Sequence, residues 1–181
     1  MTAALWDAQY VNGDWDYLGD VAQAPRFGVL AAWLRSLASP RVLDVGCGEG
    51  TLLAYLPQES INAYTGIDFS TIAIERARSR WHTRDACAFV VGDAAALAPS
   101  MIAAHNVVVF NEVLYSLEDP VAVFDNALLG TDTVVFSIFE QHSDTVKLIR
   151  TVAATRLVEI VRCQDMTRGK AWVLGMCRST N

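Results

Sequence analysis

The chain has 181 residues, 52% of them hydrophobic, with a formal net charge of −6. That is enough for one well-buried core and too little for two ordinary domains, so one domain is expected across residues 1–181. The acidic balance opposes the basic surface that neutralises phosphates, which sets nucleic acid aside as a partner, and no apolar run approaches the roughly 18 residues a membrane helix needs.

The first twenty residues are aromatic and turn-rich, with Trp6, Tyr10, Trp15 and Tyr17 among Asp7, Asn12, Gly13, Asp14 and Asp16. Met1 to Asp7 carries neither a basic stretch nor a long apolar one, so a cytoplasmic protein is expected. Pro25 suits the first turn of a helix running to about Leu37, because its missing N–H costs nothing there, and Phe27, Leu30, Ala31 and Leu34 recur at helical spacing. This segment, residues 1–38, reads as a helical cap on a core spanning residues 41–181.

The core alternates short β-type runs with helical stretches. Arg41 to Val45 is followed by a helix through Leu52 and Leu53, and Tyr64 to Ile67 by a helix from Ser70 to Trp81. Cys87 to Val91 and Val107 to Phe110 read as strands without charge, as expected where helices cover both faces of a parallel sheet. Thr133 to Phe139 is a further strand. Leu157 to Cys163 pairs with Ala171 to Cys177 across a turn containing Thr167, Arg168 and Gly169, which predicts an antiparallel hairpin closing one edge. Seven strands and about six helices make an α/β protein. The four cysteines form no C-x-x-C pair and lie mostly in apolar runs, so reduced, inert thiols are expected.

The most informative stretch is Val42-Leu-Asp-Val-Gly-Cys-Gly-Glu-Gly50, an apolar strand running into a G-x-G-x-G turn. Glycines there remove the side chains that would block a ligand's close approach to backbone. Alone, such a turn is weak evidence, since it also serves as a plain strand-to-helix connection that needs positive φ. It is joined by Asp68, eighteen residues after Gly50 at the end of the next strand, where a carboxylate can bridge ribose hydroxyls, and by Asp93, closing the third strand. Asp44, Asp68 and Asp93 thus fall along the edge where open α/β sheets bind ligands. A dinucleotide's pyrophosphate wants bare amides at a helix N-terminus, which Glu49 opposes, and Thr51 stands where the dinucleotide pattern has glycine or alanine. S-adenosylmethionine (SAM), with its sulfonium, ammonium, ribose hydroxyls and adenine amine, suits acids and carbonyls.

Val42 to Gly50, Tyr64-Thr-Gly-Ile-Asp-Phe-Ser70 and Val91-Gly-Asp-Ala94 together resemble the first three motifs of class I SAM-dependent methyltransferases. The helix Ser70 to Arg78 is similar to the segment after that family's ribose acid, and Asn111-Glu-Val-Leu-Tyr115 resembles its fourth motif in bacterial small-molecule members, including nodulation-type N-methyltransferases. The resemblance implies a Rossmann-like three-layer sandwich whose seven-stranded sheet is mostly parallel, and SAM as cofactor, leaving as S-adenosylhomocysteine (SAH), with no metal. It also implies that Gly46, Cys47, Gly48 and Gly50 pass beside the methionine part, that Asp44 orients its ammonium through water, and that Asp68 holds the ribose. Ile67 and Phe69 flank the adenine, or else pack in the core; Asp93 accepts from the adenine amine, the Ala94 amide meets a ring nitrogen, and the Asn111 carbonyl accepts from the ammonium.

Methyl transfer is an in-line displacement, so a base is optional: a hydroxyl acceptor gains from one, and a neutral amine does without. The candidates are Glu112 and Tyr115 after the fourth strand and Glu140 and His142 after the fifth, with His142 the first choice because its pKa suits working pH. A solvated His142 capping a helix fits equally well. Glu112 either binds an amine acceptor or begins a helix. The N-terminal aromatics form a lid or simply dock their helix, and Arg26 either meets the methionine carboxylate or sits on the surface near Asp20. The function expected is O- or N-methylation of a small molecule such as a sugar or secondary metabolite; the rival from another class is a catalytically silent SAM-binding module.

Overall fold

The apolar, β-branched runs of the sequence become strands of one sheet in the computed structural model, which describes residues 2–165 and 168–179. β1 (Arg41–Val45), β2 (Ala63–Asp68), β3 (Cys87–Val91), β4 (Val107–Asn111) and β5 (Thr133–Phe139) run parallel. β6 (Leu157–Asp165) and β7 (Lys170–Arg178) form the expected antiparallel hairpin, with β7 antiparallel to β5. The order is β3-β2-β1-β4-β5-β7-β6. Arg168 and Gly169 lie in the hairpin turn, and Thr167, read as part of it, falls outside the described residues.

Six α-helices are present among the described residues: α1 (Ala3–Asn12), α2 (Ala24–Ser36), α3 (Thr71–Arg80), α4 (Pro99–Ala103), α5 (Pro120–Gly130) and α6 (Ser143–Ala153). Their starts follow from local chemistry. Pro25 occupies the first turn of α2, Ser70 Oγ accepts from the Ala73 amide at 3.1 Å ahead of α3, and Asp119 Oδ1 accepts from the Ala122 amide at 2.9 Å ahead of α5. None of the helices is long and apolar enough to cross a membrane.

Side chains alternate along each strand, so each face of the sheet builds its own core. Val42, Val107, Val109 and Val135 join Phe27, Leu30 and Leu34 of α2 and Ile74 and Ala77 of α3 on one side. Leu43, Val108, Phe110, Val134 and Phe136 join Phe124 and Leu128 of α5 and Ile149 of α6 on the other. The result is the three-layer sandwich expected from the sequence.

Two expectations need correction. The stretch after the glycine loop is a five-residue 3-10 turn, Thr51–Tyr55, and not an α-helix. β3 is an edge strand, with Val90 37% and Val91 43% exposed, so its lack of charge does not reflect cover on both faces.

In β7, Gly175 faces Phe136 across the β5 pairing so closely that an added Cβ would overlap the ring. Gly175→Ala is expected to lower stability by about 1–3 kcal/mol through overpacking, read as a lower denaturation midpoint. An unchanged midpoint would show that Phe136 can move aside.

The sheet order reverses between β1 and β4, which leaves a crevice beyond their carboxyl ends. The glycine loop leaves β1 on one side of it, and Asn111 and Glu112 leave β4 on the other.

Candidate active site

The crevice opens into a cavity of about 330 Å³, within the range that holds small ligands. Its floor is the glycine loop. Gly46, Gly48 and Gly50 all have positive φ, and at each a side chain presses on the missing Cβ: Val113 over Gly46, the Tyr10 hydroxyl over Gly48 at 2.7 Å from the position a Cβ would take, and Trp81 over Gly50. The loop is glycine-rich both to turn and to let Tyr10 of α1 close over it. α1 is pinned there by Asp7, whose Oδ1 accepts from Ser70 Oγ at 2.6 Å and from the Ile72 amide at 3.2 Å.

Asp68 staples the loop from β2: Oδ2 accepts from the Gly48 amide at 2.8 Å and Oδ1 from the Ser70 amide at 2.9 Å. Each carboxylate oxygen keeps a second lone pair for a ligand hydroxyl in the cavity. Asp44, at the end of β1, is 2% exposed. Its Oδ2 accepts from Tyr64 Oη at 2.6 Å, and its Oδ1 has no hydrogen-bond partner among the described residues. Burial, above all, pushes the Asp44 carboxyl up to about 7. A buried acceptor of this kind, facing a cavity, fits a cationic group of a ligand.

The two states of Asp44 make stability depend on pH. Its folded value of about 7 exceeds the unfolded 3.8, so between these values the folded chain holds the extra proton and raising the pH works against folding. Asp44→Asn is therefore expected to lose less stability than wild type as pH rises from about 4 to about 7. Parallel melting curves across that window would contradict an ionising Asp44.

Asp93 caps the short turn after β3, with Oδ1 accepting from the Ala95 amide at 2.8 Å, and it lines the cavity with Ala94. Phe69 and Ile67 both line the cavity; Phe69, 37% exposed, presents the larger free face, while Ile67, 2% exposed, also packs in the core. Cys47 also lines the cavity, but burial holds its thiol well above the usual range, so it stays protonated. All four cysteines are free.

Arg26 is inside. It is 1% exposed, not a surface partner of Asp20, which instead meets Arg168 at 3.3 Å. Its Nε donates to Gln23 Oε1 at 3.0 Å, its Nη1 donates to Asn111 Oδ1, and the guanidinium lies 4.2 Å above the Phe27 ring. Glu49 lines the cavity but is paired with Arg76 at 2.9 Å, so its repulsion of a pyrophosphate is weaker than the sequence implied. The stronger obstacle to a pyrophosphate is the 3-10 turn, which offers no α-helix N-terminus behind the loop.

At the β4 end, Glu112 has φ of 63°, in the left-handed region, which costs about 1–3 kcal/mol for a residue with a Cβ. The side chain accepts from Trp172 Nε1 at 3.2 Å and Tyr115 Oη at 3.3 Å, and Ser137 Oγ lies 3.3 Å from its other oxygen. Burial raises its carboxyl above the usual range. Tyr17, Tyr115, Phe139, Trp172 and Lys170 complete this end of the cavity.

His142 does not reach it. The imidazole is exposed at the start of α6 and stacks on the outer face of Tyr115, with centroids 3.8 Å apart. Glu140 points away into a bidentate pair with Arg162. The aromatics of the first segment do converge: Trp6 stacks on Trp15 at 5.4 Å, Tyr10 and Tyr17 flank Trp15, and all four line the cavity. Ser137 and Trp172 were not expected. A lone hydroxyl within Val134-Val-Phe-Ser-Ile138 was a legible signal for the first; nothing in the sequence marked the second.

Residues 38–167 match a family described as a methyltransferase domain. No curated protein gives a significant match. Among solved structures, the chain is similar to the N-methyltransferase NodS from Bradyrhizobium japonicum WM9 in complex with SAH, at 22% identity over 91% of both chains, TM-score 0.74. It is also similar to magnesium protoporphyrin IX methyltransferase (ChlM) from Synechocystis PCC 6803 with bound SAH, at 14% identity over 98% of both chains, TM-score 0.79. The 4+2 cyclase SpnF shares the fold too, at 13% identity over 86% of this chain and 81% of that one, TM-score 0.68.

Proposed function

The chain belongs to the methyltransferase-domain family, and from that premise we propose that it binds SAM in the β1/β4 cavity and methylates a small-molecule acceptor there. The observation that carries the reading is Asp44 Oδ1, a buried acceptor without a partner at the floor of a cavity that also holds Asp68 and Asp93. A ligand with an ammonium, a sulfonium, ribose hydroxyls and an adenine amine matches that row of acids.

In this reading Asp44 takes the ammonium through water or directly, and Arg26 with Trp15 Nε1, a buried donor without a partner among the described residues, takes the methionine carboxylate. Asp68 holds the ribose while keeping the glycine loop in place. Phe69 covers the adenine, with Asp93 and the Ala94 amide at its polar edge. Bound SAM supplies a methyl carbon already activated by positive sulfur, so the chain's task is alignment and exclusion of water. Tyr10, Trp6 and Trp15 do the latter by roofing the cavity. Glu112 and Tyr115 face the acceptor, and His142 braces the Tyr115 ring from behind.

Because the same fold also serves a cyclase, the cofactor must be tested on this chain. SAM and SAH are each expected to raise the melting temperature, with NAD giving no shift; the reverse pattern would overturn the reading.

A further inference from the structure

Arg26 can only donate, so the Asn111 atom it meets is the amide oxygen. Ser137 has one hydroxyl proton and two acceptors beside it, Asn111 Oδ1 at 2.7 Å and Glu112 Oε1 at 3.3 Å, and the shorter contact takes the proton. What Ser137 turns toward Glu112 Oε1 is therefore a lone pair. Two acceptors face each other there, and the contact becomes a hydrogen bond only when Oε1 carries a proton. The other oxygen, Oε2, accepts from Tyr115 and Trp172. The site is built to let one carboxyl exist both ionised and protonated.

The surrounding charges point to a neutral acceptor. Arg26 of α2 lies on the cofactor side of Glu112 and Lys170 of β7 sits at the rim, 5.6 Å above the Tyr17 ring, so a cationic ligand gains little net attraction. Tyr115 comes from the turn after β4, Tyr17 from the segment before α2, Glu118 from the loop entering α5, and His142 lies behind Tyr115. The walls themselves, Tyr17, Tyr115, Phe139 and Trp172, are flat and aromatic.

Resting on the SAM-dependent reading above, we infer that the acceptor is a hydroxyl on an aromatic ring, that Glu112 is its general base, and that Ser137 positions the proton Glu112 receives. The acceptor oxygen attacks the methyl carbon, and the carbon–sulfur bond breaks with its electron pair going to sulfur. The hydroxyl proton passes to Glu112, where Ser137 Oγ accepts a hydrogen bond from Oε1, and is later lost to water.

The test uses three para-substituted probes with SAM in mildly alkaline buffer: 4-methylphenol, which is un-ionised there; 4-nitrophenol, which is largely ionised already; and 4-methylaniline. The wild type is expected to methylate both phenols. Glu112→Gln should lower kcat for 4-methylphenol by about 100-fold or more, the scale of general-base catalysis, yet change it less than about threefold for 4-nitrophenol. Ser137→Ala should show the same selectivity at about tenfold. Melting temperatures within a few degrees of wild type establish that both variants fold; should Glu112→Gln fail, Glu112→Asp, which keeps the carboxylate but shortens its reach, replaces it and is read the same way, with a loss on 4-methylphenol that is not matched on 4-nitrophenol. Equal losses on both phenols, methylation of the aniline alone, or SAM binding without transfer to either phenol would each overturn this inference and leave SAM binding intact. Absence of SAM binding would overturn the reading beneath it.

Discussion

Asp68→Ala is expected to weaken both SAM and SAH by at least about 100-fold in calorimetric titration, the effect of losing two or more charge-assisted hydrogen bonds. Two losses coincide in this variant. The ligand's ribose loses its acceptor, and the Gly48 and Ser70 amides lose the carboxylate that fixes the glycine loop against β2. The variant should still fold, because β2 is held in the sheet by its pairing with β1 and β3. Asp68→Asn should fall between the two, since an amide oxygen can still accept one of the loop bonds. A full-affinity Asp68→Ala would mean that the ligand lies elsewhere.

Arg26→Met is expected to have the second large effect. Methionine keeps much of the volume in the α2 packing but removes the buried cation, so SAM affinity should fall by about 100-fold, the scale of losing one partner of a buried charged contact. The control is decarboxylated SAM, which lacks the group Arg26 is assigned to bind. Its affinity should change little between wild type and variant. Equal loss for both ligands would show that Arg26 acts only by holding Asn111 and Gln23.

Much of the architecture was readable from local pattern. The strands Arg41–Val45, Cys87–Val91 and Thr133–Phe139 begin and end where they were expected, and Pro25 and Ser70 mark helix starts by chemistry that acts within one turn. What local pattern did not reveal was set by position in the sheet. Val90 and Val91 look like core residues until β3 is known to be an edge. The stretch through Leu52 and Leu53 reads as a helix, but the loop that precedes it leaves only a 3-10 turn.

That Asp44, Asp68 and Asp93 line one cavity was legible for a related reason: they sit at strand ends, and strand ends are visible in sequence. The Glu112 end was legible in part: Glu112 and Tyr115 line the cavity, and His142 does not reach it. His142 follows a strand end as Glu112 does, yet the backbone carries it outward to stack on Tyr115, whereas the left-handed backbone of Glu112 accompanies a side chain directed to Ser137 and Trp172. Arg26, fifteen residues before the first strand, is drawn inside only because α2 packs over the crevice, a fact of tertiary structure.

The most direct measurement is the crystal structure of the protein grown with SAH. SAH should occupy the β1/β4 cavity, with its ammonium at Asp44, its ribose at Asp68, its adenine beside Phe69 and Asp93, and its sulfur directed toward Glu112. SAH bound outside this cavity, or with its adenine at the Glu112 end, would contradict the assignment of both halves of the site.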